Sequence, residues 1–318
     1  MKKSMNFLLA MDHSRYAKRA ARFLQELQFP AGSNLYVLHV IDPPQRSEIS
    51  GIRSTSHWDK QLDHLRTHML TNTRQFVKRV ENRFLGENLQ LHPVIGEGLA
   101  GNEIVSAIDQ FKIDLAVVGH LGLSGIRRFL WGSVSEWVLN HATCSVLMVR
   151  NLPGWTRPKQ PRGMKVLLAV DHSTDLQAIA KFLRLLDFTP HSCISLIHVV
   201  KPQVMRSPFG WDMAFSDVSQ VLRREQKTWK AQEQAGWVFL KKIRQKIAQL
   251  GIKKRTDLTM VVGLPEVEII KKAEQMQPDL LILGSRKLSV IQSFFLGSVS
   301  HKVVRHSPCS VLVVRQRE

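Results

Sequence analysis

The chain repeats itself, and this limits its fold more than any other feature of the sequence. Phe7-Leu-Leu-Ala-Met-Asp-His-Ser14 returns as Val166-Leu-Leu-Ala-Val-Asp-His-Ser173, and Leu38-His-Val40 as Ile197-His-Val199, both 159 positions later. Asp114-Leu-Ala-Val-Val-Gly119 returns as Asp279-Leu-Leu-Ile-Leu-Gly284, and Cys144-Ser-Val-Leu-Met-Val-Arg150 as Cys309-Ser-Val-Leu-Val-Val-Arg315, now 165 positions later. Six extra residues between His198 and Gly263 account for the shift. Self-similarity of this kind means two copies of one structural unit, and 318 residues suit two domains of about 100–200 residues each. Between the copies, Pro153, Gly154, Pro158, Pro161 and Gly163 give residues 151–163 the composition of a linker. The reading is a domain over residues 1–150, the linker, and a second domain over residues 164–318.

Each copy alternates short aliphatic runs with amphipathic stretches. In the first copy the runs are 6–11, 35–40, 91–95, 115–118 and 145–149. They are Val/Leu/Ile-rich without strict alternation, as in parallel strands buried on both faces. Ile104, Ile108 and Phe111, spaced by four and three, mark one helix between them. A β-α-β-α order implies right-handed crossovers and an open, doubly wound α/β sheet. In such Rossmann-like sheets, ligands sit beyond the carboxyl ends of the strands where the strand order reverses. The expected fold is thus two tandem domains, each a five-stranded, mostly parallel sheet flanked by helices. The last strands, 145–150 and 310–315, would be unpaired edges unless they pair with each other. Antiparallel pairing would join the copies as a pseudo-two-fold dimer.

Composition excludes several classes. No apolar run approaches the roughly 20 residues of a transmembrane helix. The apolar stretch Phe7–Met11 meets Asp12 directly, which suits a first strand better than a signal peptide. Cys144, Cys193 and Cys309 form no disulfide framework and no zinc pattern, so a reducing, cytoplasmic setting is expected. His64 and His68 lie one helical turn apart but lack a third ligand, and read as helix-surface residues rather than a metal site. There is no Walker-type phosphate loop. No nucleophile–base pair is visible in the sequence.

The motif with most chemical content is Gly119-x2-Gly122-x9-Gly132-Ser133, running from the fourth strand to a helix start. Glycines there permit positive φ and close backbone approach to a phosphate. Ser133 and Ser135 would sit at the amino end of a helix over 134–141, where free amides and the dipole favour an anion. Ser133-x-x-Glu136 is equally a capping box that needs no ligand. Taken with Asp12-x-Ser14 after the first strand and His39-Val40 after the second, the motif resembles that of the universal stress protein family, over nearly the whole chain as a tandem pair. The resemblance implies ATP in the first domain, with or without Mg²⁺, and signalling in stress through conformation or partners. By position, Ala10, Met11 and Asp12 would lie beside the adenosine, and Val40 would bond the adenine through its backbone. Gly119, His120 and Gly122 would wrap the ribose and phosphates, with Gly132, Ser133, Val134 and Ser135 closing from the helix end. It also implies dimerisation through the last strand.

The second copy reads Gly284-Ser-Arg-Lys287-x9-Gly297-Ser298, with a lysine where the second glycine stands in the first. A Cβ there opposes the left-handed conformation, so the site is expected to be degraded or altered. Asp171, Val199, Val299 and Ser300 keep their places beside it. Gly96-Glu-Gly-Leu-Ala-Gly101 spells a dinucleotide fingerprint but follows the third strand and lacks the downstream acid, so it reads as turn glycine.

The net charge of +19 is concentrated in the second copy, where residues 223–255 hold eleven Lys/Arg against Glu225 and Glu233. Trp237, Leu240, Ile243, Ile247 and Leu250 form one apolar helix face. Lys241, Lys242, Lys246, Lys253 and Lys254 fall elsewhere, as a solvated helix back or a contact for an acidic macromolecule, whether nucleic acid, anionic lipid or protein. The leading function is a regulatory ATP-binding protein. The alternatives are a basic, polyanion-associated scaffold with a vestigial nucleotide site, and a slow ATPase. Further self-association into a homo-oligomer is a partner expectation of the same reading.

Overall fold

The computed structural model describes residues 4–42, 56–84, 86, 89–120, 132–150, 163–186, 188–201, 215–284 and 297–315; of helix residues 56–63, 65 and 215–229 it describes the backbone. In the first copy the elements are β1 (Asn6–Ala10), α1 (Arg15–Gln25), β2 (Ser33–Ile41), α2 (Ser56–Glu81), β3 (Leu89–Glu97), α3 (Ala100–Gln110), β4 (Leu115–Gly119), α4 (Ser133–His141) and β5 (Ser145–Val149). The second copy repeats them as β6 (Lys165–Ala169), α5 (Leu176–Leu183), β7 (Cys193–Val200), α6 (Phe215–Gln249), β8 (Arg255–Val262), α7 (Pro265–Met276), β9 (Leu280–Gly284), α8 (Ser298–His306) and β10 (Ser310–Val314).

All ten strands form one sheet in the order β3-β2-β1-β4-β5-β10-β9-β6-β7-β8. Every neighbouring pair is parallel except β5 and β10, which run antiparallel with Leu147 opposite Leu312. Within each copy the order reverses between the first and fourth strands, which places a crevice at the carboxyl ends of β1 and β4, and another at those of β6 and β9.

Strand burial explains the run-like sequence. Phe7, Leu8 and Leu9 of β1 are all fully buried. Phe7 and Leu9 face the core under α1 and α2, while Leu8 faces the core under α3 and α4. Each core continues into the second copy, because the β5–β10 pairing carries Leu147 and Leu312 into one and Val146 and Val311 into the other. On α3, Ile104 and Ile108 are buried, and on α6 Leu240, Ile243 and Ile247 are, following the three–four spacing.

Arginines clasp the seam. Arg150 donates its guanidinium to the carbonyls of Ser307 and of Arg305 (3.1 Å), at the end of α8 in the other copy. Its repeat partner Arg315 reaches the other way, to the Leu139 carbonyl of α4 at 2.5 Å. Two serines close the strand ends: Ser145 accepts the Arg315 N–H at 3.0 Å, and Ser310 the Arg150 N–H at 3.2 Å. Glu136 and His301, also 165 positions apart, face each other at 3.6 Å between Oε1 and Nε2.

Candidate functional site

At the first crevice, Asp12 and Ser14 shape the turn after β1. Asp12 Oδ1 accepts the Ser14 N–H at 3.0 Å, and Ser14 Oγ accepts the Ala17 N–H at 3.1 Å as the amino-terminal cap of α1. His39 donates from Nδ1 to the Met11 carbonyl at 2.7 Å, tying the end of β2 to that of β1. Burial lowers the His39 pKa, against the opposing pull of that hydrogen bond. The crevice holds a cavity of about 130 Å³ lined by Ala10, Met11, Asp12, Val40, Gly119, Gly132, Ser133, Val134 and Ser135. Nine expected residues are thus brought together. His120 lies next to them, buried, with Nε2 accepting from Arg150 at 2.8 Å; burial foremost, and the Arg150 charge second, push its pKa down to about 4. Gly122 falls outside the described residues.

Two local expectations are corrected. The cap of α4 is Gly132, not Ser133, and this cap has no side chain to bond the first amides of that helix. The capping box does not form, because Ser133 is already the first helical residue and Glu136 faces His301 instead. That leaves the amino end of α4 facing the cavity with no acceptor supplied by its cap residue. The glycines also act differently: Gly132 has φ −68°, and Gly119 is not among the positive-φ residues. Gly119 is required by proximity, since a Cβ there would come within 2.9 Å of the Tyr16 carbonyl carbon and 3.0 Å of the Ala17 nitrogen. Ser135 is buried and donates Oγ to the Gly119 carbonyl at 2.6 Å, fixing α4 to the end of β4.

The second crevice is the larger. Its cavity of about 700 Å³ is lined by Asp171, Val199, Gly284, Gly297, Ser298, Val299 and Ser300, with His172, His198 and Gly236 alongside. Lys287 lies outside the described residues. Ser300 repeats the tie of Ser135, donating to the Gly284 carbonyl at 3.4 Å, and α8 likewise lacks a side-chain cap. The cavity wall includes Gln232, Ala235 and Gly236 of α6. Phe76 and Phe239 occupy matching ring clusters, each with a histidine pair: His13 and His39 in the first copy, His172 and His198 in the second. Matching these rings sets Gly236, which lines the second cavity, where the first copy has buried Thr73. The ring clusters were missed in the sequence. Their histidines stand in the repeated motifs, but the six-residue insertion hides the phenylalanines: the offset is 163 at Phe239 and 165 by β8.

The other features have ordinary places. Gly98 has φ +122°, and a Cβ on Gly101 would lie 2.7 Å from Trp137, so these glycines serve a turn and the α3–α4 packing. His64 and His68 are exposed on α2. Among the described residues no group of three or more His, Cys, Asp or Glu side chains could hold a metal ion, and no helix is long and apolar enough to cross a membrane. The basic segment is not one patch: Lys241, Lys253 and Lys254 join Arg244 around a concavity, whereas Lys242 and Lys246 lie on the opposite flank of α6, more than a quarter turn away.

Strand order, seam and paired crevices define a tandem doubly wound α/β protein with two domains joined edge to edge. A model of the Universal stress protein family matches residues 4–150 and again residues 164–315. The chain therefore belongs to the universal stress protein family. A universal stress protein of Methanocaldococcus jannaschii is 27% identical over 143 residues, covering 45% of this chain and 80% of that protein. A putative universal stress protein of Staphylococcus epidermidis is 29% identical over 126 residues, 39% of this chain and 68% of the relative. In fold, the chain is similar to a universal stress protein from Archaeoglobus fulgidus, with a TM-score of 0.57 and 19% identity over 99% of this chain and 97% of that one.

Proposed function

We propose that the protein is a regulator that binds an adenine nucleotide, ATP, in the crevice of its first domain (residues 1–150) and passes the bound state on through conformation or partners. The observation that carries this reading is the amino end of α4: its amides have no side-chain cap and face a cavity floored by Asp12, Val40 and Gly119. Free amides and the helix dipole are a ready anion site, and the apolar walls from Leu38, Val118 and Ile104 suit a flat base. The 700 Å³ second crevice supports a second reading, in which the second domain (residues 164–318) also takes a ligand.

Calorimetric titration with ATP tests both. Gly132 has the extended φ and ψ of −68° and 129°, so Gly132→Val leaves the backbone unstrained and places a branched side chain in front of the α4 amides. We expect it, and Gly122→Lys, to weaken binding at least about tenfold with the fold retained, the loss of one charge-assisted contact or more. Gly297→Val probes the second crevice in the same way. Wild-type affinity in all three folded variants removes the phosphate-site reading. Identifying any small molecule released when the gently purified protein is denatured is the independent check.

A further inference from the structure

The concavity at the end of α6 is outside both crevices. It measures about 610 Å³ and is lined by Lys241, Arg244, Lys253 and Lys254, with Gln245 and Thr256 between them and no carboxylate. Lys254 is held in place: its Nζ donates to the Phe188 carbonyl at 2.9 Å, and Thr256 Oγ1 bonds the Lys254 carbonyl at 2.9 Å. Beside it, Arg255 Nε lies 3.4 Å from Asp257 Oδ1. The tandem design supplies an internal reference. With Phe76 matched to Phe239, and Gln90 of β3 to Arg255 of β8, the first copy has Lys78, Glu81, Asn88 and Leu89 where the second has Lys241, Arg244, Lys253 and Lys254. Three of the four cations therefore belong to the second copy alone, and the fold does not need them. Clustered like charges repel and oppose the compact state, so a cluster in one copy only calls for an anion.

We infer that this basic cup binds a compact, multiply charged phosphate compound. A polymer backbone needs a continuous track of cations, and the structure divides the lysines between two flanks of α6, with the cup on one side and Lys242 and Lys246 on the other. A cup with several donors and a fixed lysine suits a small polyanion that uses all its charge at one place. Arg244 supplies a planar fork for two phosphate oxygens, and the lysines act as point charges.

The test titrates inorganic tripolyphosphate, orthophosphate and a duplex DNA 20-mer into the full chain at low and at physiological salt. Tripolyphosphate should bind at least about tenfold more tightly than orthophosphate, and more weakly as salt screens the cup. Arg244→Gln with Lys253→Gln should cost about tenfold or more, while Lys242→Gln with Lys246→Gln should change affinity by less than about twofold. The crevice variants Gly132→Val and Gly297→Val should leave this binding intact, which separates the cup from the proposed ATP site. No tripolyphosphate binding overturns the inference. So does binding lost in the crevice variants but kept in the cup variant. Tighter binding of the duplex, weakened equally by changes on both flanks of α6, also overturns it and makes the helix a nucleic-acid surface.

Discussion

His120 and Arg150 show how one residue's environment sets its chemistry. The imidazole is 7% exposed, accepts a hydrogen bond from the Arg150 guanidinium, and is held neutral with a pKa near 4. An unfolded histidine titrates near 6.5, so the folded state disfavours the proton. The stabilisation is fully present above pH 6.5 and is lost as pH falls from 6.5 to about 4. Its size is on the order of 3 kcal/mol, at about 1.4 kcal/mol per pKa unit. His39 and His198 are lowered by burial as well and bend the curve in the same direction. Denaturant unfolding of wild type and His120→Gln between pH 4 and 8 isolates the His120 share. The variant should lose less stability on acidification; parallel curves would refute the assignment. The two seam arginines should differ in kind. Arg150 satisfies two carbonyls and His120, so Arg150→Ala should cost about 2–5 kcal/mol by stranding the acceptors on buried Ser307 and His120. Arg315 is buried, and among the described residues its Nη1 has no hydrogen-bond partner. Arg315→Met should be close to neutral, within about 1 kcal/mol, because an under-satisfied buried charge is replaced by a shape-matched apolar chain. Equal losses in chemical denaturation would show that the Arg315–Leu139 bond outweighs that desolvation.

At the scale of elements, the strands and most helix faces were legible because their burial follows from periodicity alone. Phe7–Leu9 and Ser145–Val149 read as two-sided strands and are buried on both sides. Ile104 and Ile108 marked α3 for the same reason. Helix ends were less legible. Ser133-x-x-Glu136 satisfies the capping-box pattern, yet Glu136 faces His301, Ser135 is tied to Gly119, and α4 starts one residue earlier than that pattern requires. Gly119 and Gly284 look identical in sequence, but Gly119 packs against the start of α1, whereas among the described residues a Cβ on Gly284 would meet nothing within 4 Å. Their substitution should separate them. Gly119→Ala must displace the α1 backbone and should destabilise by about 1–3 kcal/mol, as overpacking does, whereas Gly284→Ala should stay within about 0.5 kcal/mol. Thermal unfolding of the two variants decides it, and equal shifts would mean that α1 yields freely. The split of the basic residues between two flanks of α6 was beyond a count of charges, because the cup is closed by β8 rather than by the helix alone.

The whole molecule depends on the seam. The repeat and its edge-strand logic foretold the β5–β10 pairing, but not that both cores would run unbroken through it. Val146, Leu147, Met148, Val311, Leu312 and Val313 are all at most 4% exposed, so the seam lies inside the shared cores. Burying each such side chain contributes about 1.5–3 kcal/mol relative to exposure, enough to bind the two domains into one cooperative unit even though each has its own five strands. The full chain should therefore unfold in a single calorimetric transition whose van't Hoff and calorimetric enthalpies agree. Leu312→Lys puts a charge into the shared core opposite Leu147. It should cost at least about 4 kcal/mol, from the lost apolar side chain and the buried charge together. Because Leu312 belongs to the second copy, the informative readout is the first: amide exchange in β1 and β4 should accelerate along with that in β6 and β9. Two resolved transitions in the wild type, or a Leu312→Lys variant whose first copy keeps its protection, would mean that the domains are stable apart and the seam only holds them side by side.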